Sequence, residues 1–157
     1  MMQISSRIFA DHYQFYIYDS EYKHFSDDRL NWITAEREQF GYISTEMAIY
    51  VSTVADLNSH RLRVYLGEEP NAEYERVYSR DLAIPSGRVV ISAPANEESD
   101  DLRLSVEKGN YTVFVCSNSI GKDMLSYDVE YDDDMTDEEY VKHDEFEYYD
   151  IFLLKTA

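Results

Sequence analysis

The 157 residues include a single cysteine, three prolines and five glycines, and only 14 lysines and arginines stand against 32 carboxylates. With Cys116 alone no internal disulfide can form, so a reducing, cytoplasmic setting is expected. No apolar run approaches the roughly 20 residues of a membrane span, and the first residues lack the apolar core of a secretory leader. The shortage of cations argues against direct binding to DNA, RNA or anionic lipid, which reward clustered Lys and Arg. Signature motifs are missing too: there is no Gly-x-Ser-x-Gly elbow, no phosphate-binding glycine loop, no His-Glu-x-x-His and no dinucleotide fingerprint. A catalytic role is therefore not expected, and no cofactor is implied.

What is abundant is negative charge and tyrosine. The formal net charge is -18, and the stretch Tyr127 to Asp150, YDVEYDDDMTDEEYVKHDEFEYYD, holds twelve carboxylates and five tyrosines against Lys142 alone. It supplies eleven of the eighteen net negative charges, so the field is concentrated. Like-charge blocks are ordinarily self-repelling tails, but this one interleaves Tyr127, Val129, Tyr131, Tyr140, Val141, Phe146, Tyr148 and Tyr149. A row of large apolar groups gives such a segment something to bury.

Fifteen Tyr and seven Phe suit a chain rich in strands, because aromatics fit the pleated surface. Period-two alternation recurs along it. Ile8 to Asp19 reads as one strand, with Tyr13, Phe15 and Ile17 on one face and His12, Gln14, Tyr16 and Tyr18 on the other. Met47 to Thr53, Arg61 to Leu66, Tyr74 to Ile84 and Arg88 to Ala93 are further strands, the last pair joined across Pro85-Ser86-Gly87. Residues 102 to 116, LRLSVEKGNYTVFVC, read as a hairpin with Gly109 in its connection, Leu102, Leu104 and Val106 facing inward on one arm and Tyr111, Val113 and Val115 on the other. Ser126 to Asp132 and Phe146 to Lys155 complete about nine strands. Thr34 as cap, Glu36 in the first turn and Gly41 as stop predict a short helix, with Trp32 wedged against the core. Thr136 with Glu139 forms a capping box that opens a possible second short helix toward His143. The expected fold is mainly β, a two-layer antiparallel β-sandwich forming one domain over residues 1–157.

The stretches DHYQFYIYD, NWITAEREQFGYISTEMAIYV from Asn31 to Val51 and LSVEKGNYTVFV from Leu104 to Val115 resemble, in order and spacing, the competence protein J family. The likeness spans Ile8 to Cys116 and, more loosely, Tyr149 to Thr156. Members are inhibitors of the nuclease that handles incoming DNA in naturally transformable bacteria. The resemblance implies a non-catalytic inhibitor whose partner is a nuclease; it carries no individual functional residue over. Against that family the acidic, Tyr-rich stretch at 127–147 looks like an insertion.

Charge leads to the same kind of partner. A nuclease holds a polyanion in a groove lined by cations, and that groove attracts any anionic surface of suitable spacing. If 126–132 is a strand, Asp128, Glu130 and Asp132 line one face at a repeat of about 6.6 Å, with Tyr127, Val129 and Tyr131 beneath. Asp133, Asp134, Asp137, Glu138 and Glu139 supply a second line of charge, and Asp144, Glu145 and Glu147 extend it, with Tyr131 and Tyr140 as interface anchors. These thirteen residues are the expected partner-binding surface. Rival readings are an immunity protein against a non-nuclease toxin, a sugar-binding sandwich using Tyr16, Tyr18 and Trp32, and a calcium site. For calcium, Asp134, Thr136, Glu138 and Glu145 match a loop spacing, but Glu139 stands where the turn needs Gly. His12, His24, His60 and His143 lack the pair spacing of a zinc site. Oligomeric state is open at this level.

Overall fold

The structure, a computed structural model, describes residues 2–10, 14–22, 41–45, 47–53, 58–93, 102–119 and 147–156. These form ten strands: β1 (Met2–Ala10), β2 (Gln14–Asp19), β3 (Gly41–Thr45), β4 (Ala48–Ser52), β5 (Asn58–Leu66), β6 (Arg76–Ile84), β7 (Arg88–Ser92), β8 (Leu102–Ser105), β9 (Gly109–Ser119) and β10 (Glu147–Lys155). They assemble into two five-stranded sheets, ordered β1-β5-β10-β9-β6 and β3-β4-β2-β7-β8. The expected helices over 34–40 and 136–143, Trp32 and the strand at 126–132 lie outside the described residues, and Gly41, expected as a helix stop, opens β3.

One face of each sheet is apolar, and the two faces meet. In β5 the alternation of RLRVYL sends Leu62 and Val64 inward; in β10 Tyr149, Ile151 and Leu153 do the same, and in β9 Tyr111, Val113 and Val115. The second sheet answers with Phe15 and Ile17 from β2, Ile49 and Val51 from β4, and Val89 and Ile91 from β7. Phe15 and Tyr149 meet edge to face between the layers, ring centres 4.9 Å apart. Burying these side chains supplies about 1.5–3 kcal/mol apiece toward holding the layers together.

Three expectations are corrected. Ile8 to Asp19 is not one strand: Ile8 ends up in β1 of the first sheet and Phe15 in β2 of the second. Residues 102–116 are not a hairpin either. β8 pairs with β7, whereas β9 pairs with β6 and β10, so the three residues between β8 and β9 carry the chain from one sheet to the other. The inward faces were read correctly, since Leu102, Leu104 and Val106 pack on the core that buries Tyr111, Val113 and Val115. Alternation reports which residues face the core, and both sheets face the same core, so it is silent about which sheet a strand joins. Third, the pairing is not antiparallel throughout: β10 runs parallel to β5 from Tyr148↔Arg61 to Leu153↔Leu66.

The β6–β7 connection also passes between sheets, and the two passages support each other. Val106 donates its backbone N–H to the Gly87 carbonyl at 2.8 Å. Asp19, fully buried, locks the turn by accepting from the Ser86 backbone N–H (3.0 Å), the Ser86 hydroxyl (2.8 Å) and the Glu21 backbone N–H (2.9 Å). Three donors satisfy a carboxylate that burial would otherwise penalise heavily. Gly87 has φ +72, and a Cβ there would sit 2.9 Å from the Val106 carbonyl oxygen; Gly67 has φ +78 with nothing within 4 Å of such a Cβ. Gly87→Ala is therefore expected to cost about 2–3 kcal/mol, strain plus collision, and Gly67→Ala only the strain, about 1 kcal/mol. Urea denaturation of the two variants measures both, and equal losses would contradict the packing of one arch on the other.

Candidate functional site

β10 lies third in its five-stranded sheet, and its outward residues organise the exposed side of that sheet. Register aligns Val77, Cys116, Asp150, Arg63 and Ser5 in one row across all five strands. Asp150 stands in the middle of this row, inside the otherwise apolar YYDIFLLK. Its carboxylate accepts two hydrogen bonds from Arg63, from Nε at 2.8 Å and from a terminal nitrogen at 2.9 Å, and a third from the Tyr74 hydroxyl at 2.9 Å. The Asp150 side chain is 3% exposed and that of Arg63 32%, so the pair is half-desolvated and closed by a fork that matches carboxylate geometry.

Aromatic rings surround it. Tyr65 stacks on Phe152 with ring centres 4.8 Å apart and planes 11° apart, and Tyr74 meets Phe152 edge-on at 6.4 Å. Arg61 lies 4.5 Å over the Tyr148 ring. Tyr74 belongs to no strand. Residues 67–75, GEEPNAEYE, connect β5 to β6 across the intervening β10 and β9, and they form a strap over the outer face. The strap is fixed by Gly67 N–H to the Leu153 carbonyl (2.9 Å), by Tyr74 to Asp150, and by Glu75 N–H to the Asn118 side-chain oxygen (2.6 Å). It presents Glu68, Glu69, Glu73 and Glu75 to solvent.

Of the thirteen residues expected to bind a partner, twelve, from Asp128 to Glu145, lie outside the described residues. Glu147 is described as the first residue of β10, paired with Ser119, the last of β9. The chain between them thus starts and finishes at directly opposed positions of two neighbouring strands, at the end of the sandwich where β6 begins. Next to that pair the Tyr148 hydroxyl accepts from Asn118 at 3.0 Å, and the core side holds Tyr149, whose hydroxyl accepts from Arg76 at 2.9 Å. Asp150, the last carboxylate of the acidic run, is part of the ion pair and adds nothing to the exposed negative surface.

Sequence reading missed Arg63, Tyr74 and the strap glutamates. Signals existed: a lone Asp at an outward position of an apolar strand needs a partner, and Arg61 and Arg63 alternate with inward Leu62 and Val64. The sugar-binding reading loses one platform, because Tyr16 is 5% exposed and packs edge-on against Tyr50, ring centres 5.1 Å apart. Tyr16, Tyr22, Ala48 and Tyr50 form a separate buried cluster on the outer side of the second sheet. Among the described residues no group of three or more His, Cys, Asp or Glu is placed to hold a metal.

The environment of Asp150 shows in its neighbours' acidities. The hydrogen bond from Arg63 raises that guanidinium's pKa. Tyr74 is raised by burial and then by donating to Asp150. Cys116 is buried and pushed up to about 12, first by burial and then by the Asp150 charge, so it is a poor nucleophile.

Comparison with known proteins finds no matching family model and no matching curated protein. Two solved structures share the fold. ComJ from Bacillus subtilis, described as the inhibitor of the DNA-degrading activity of NucA, superimposes with a TM-score of 0.60 at 13% identity, over 99% of this chain and 98% of that one. A protein described as crocagin biosynthetic gene J gives 0.58 at 17% identity, over 98% and 96%. At such identities the likeness is one of fold.

Removing Arg63 strands a buried carboxylate: Arg63→Ala is expected to cost about 2–3 kcal/mol in urea denaturation, while Arg63→Met with Asp150→Leu recovers most of it. Alkaline pH offers a second check. The folded chain keeps Cys116 protonated while the unfolded chain ionises near its ordinary 9.0, so that contribution to stability is whole below pH 9 and is lost as pH rises toward about 12. Tyr74 and Tyr111, both raised by burial, act in the same direction from about pH 10 upward. Cys116→Ala should remove the part of the alkaline decline in melting temperature that begins at pH 9; an unaltered profile would mean that the thiol is not shielded.

Proposed function

We propose that this chain is a non-catalytic protein inhibitor of a nuclease, acting in the cytoplasm by laying an acidic surface against the cationic groove that otherwise holds DNA. The observation that carries the reading is the fold shared over nearly the whole chain with the inhibitor of NucA, joined to a net charge of -18 concentrated near one end of the chain. The contact surface in this reading is formed by Asp128, Glu130, Tyr131, Asp132, Asp133, Asp134, Asp137, Glu138, Glu139, Tyr140, Asp144, Glu145 and Glu147.

A rigid, desolvated groove focuses positive potential and accelerates encounter with an anion. Carboxylates presented to that groove exploit its potential as phosphates do, without a bond that can be cut. Acids at the rim chiefly speed association and impose salt dependence, whereas tyrosines provide contact area at small entropic cost. Anchoring the acidic segment at Ser119 and Glu147, on strands paired along their length, limits the freedom lost on binding.

The test is a DNA-degradation assay with NucA as the nuclease. Added in micromolar amounts, the chain is expected to suppress cleavage, and cleavage at an unchanged rate would end the reading. Reversing charge at Asp132, Asp133 and Asp134 to Lys should slow association roughly tenfold at low salt and flatten its dependence on ionic strength.

A further inference from the structure

The first sheet's outer face divides unequally. Over β5 and β10 it is occupied by the Arg63–Asp150 pair and stacked rings. Over β6 it is open: Val77, Ser79 and Asp81 alternate along the exposed side of this edge strand, and Val77, at 56%, is the exposed large apolar residue among those described. The strap delivers Glu73 and Glu75 beside it, and Thr112 on β9 donates to Asp81 at 3.2 Å, tying that carboxylate to the neighbouring strand. The cations of β6 are directed elsewhere. Arg76 turns inward to the Ser117 and Tyr149 hydroxyls, and Arg80 falls on the opposite side of the strand from Val77.

We infer that this open face of β6, with the strap's Glu73 and Glu75, is a second contact surface for the same basic nuclease, an inference that rests on the proposed function. Its composition is that of a small interface patch, an apolar centre with a charged rim. Its sign complements a cationic groove and matches the acidic segment, whose anchoring strands β9 and β10 border this end of the sheet. Tyr74 is the positioning residue. Its hydroxyl, held by the Asp150 carboxylate that Arg63 already fixes, sets the strap's height over the sheet, so Glu73 and Glu75 are presented with little freedom left to lose.

The experiment measures association of the full chain with NucA by surface plasmon resonance, alongside inhibition and melting temperature. Glu73→Lys with Glu75→Lys is expected to slow association roughly tenfold at low salt, and Val77→Asp to speed dissociation severalfold, both without lowering the melting temperature. The matched reversal of Glu21 and Glu107 to Lys, near the β6–β7 turn and in the β8–β9 connection, changes net charge equally and should alter association less than threefold. Tyr74→Phe keeps the ring and loses the hydroxyl, and its effect on association should exceed that of the control reversal. If wild type inhibits and the strap and Val77 variants inhibit equally well, this surface is overturned while the inhibitor reading stands. A wild-type chain that does not inhibit removes both.

Discussion

β10 is bonded along both edges, parallel to β5 and antiparallel to β9, and nearly every side chain on it is committed. Tyr149, Ile151 and Leu153 fill the space between the layers, while Asp150 on the opposite side gathers Arg63 and Tyr74. A charge in the centre of a sheet is tolerated only when it is closely partnered, and here a guanidinium fork and a phenol partner it. The strap is held because Tyr74 is needed at that carboxylate, and Cys116 is buried within the same row. The ion pair, together with the Gly67–Leu153 and Glu75–Asn118 hydrogen bonds, thus holds an irregular nine-residue connection that has no ladder of its own.

The connections that pass between the sheets and the attachment of the acidic segment lie at opposite ends of the sandwich. Two exchanges of the chain between sheets, at Pro85-Ser86-Gly87 and between β8 and β9, are bonded to each other and locked by Asp19 near one end. At the other end β9 stops, β10 starts and β6 begins, and there the acidic segment is attached. In the function proposed above, anchoring at both ends leaves the segment less freedom to lose on contact than a free tail would have.

The fold neighbours bear different descriptions, one an inhibitor of a DNA-degrading enzyme and the other a biosynthetic protein. A scaffold shared by both leaves specificity to surface chemistry. In the function proposed for this chain, that chemistry is the carboxylate density at 127–147, joined by the exposed acids of the strap and of β6.

Alternation alone determined much of which residues face the core: Leu62, Val64, Tyr111, Val113 and Val115 were legible, because a pleated strand repeats every two residues and its buried face must be apolar, whereas for Phe15 and Ile17 it gave only a shared face, both faces of that strand being buried. Composition determined the sign of the chain's own field, a net charge of -18. What remained for the tertiary structure was partnership between distant segments. The division of Ile8 to Asp19 between two sheets, the passage in place of a hairpin at 106–108, the parallel seating of β10 on β5 and the pairing of Arg63 with Asp150, 87 residues away, were all settled there. Local periodicity carries no information about which neighbour completes a backbone ladder or satisfies a buried charge, since those choices are made by contacts that exist only once both layers have closed on a common core.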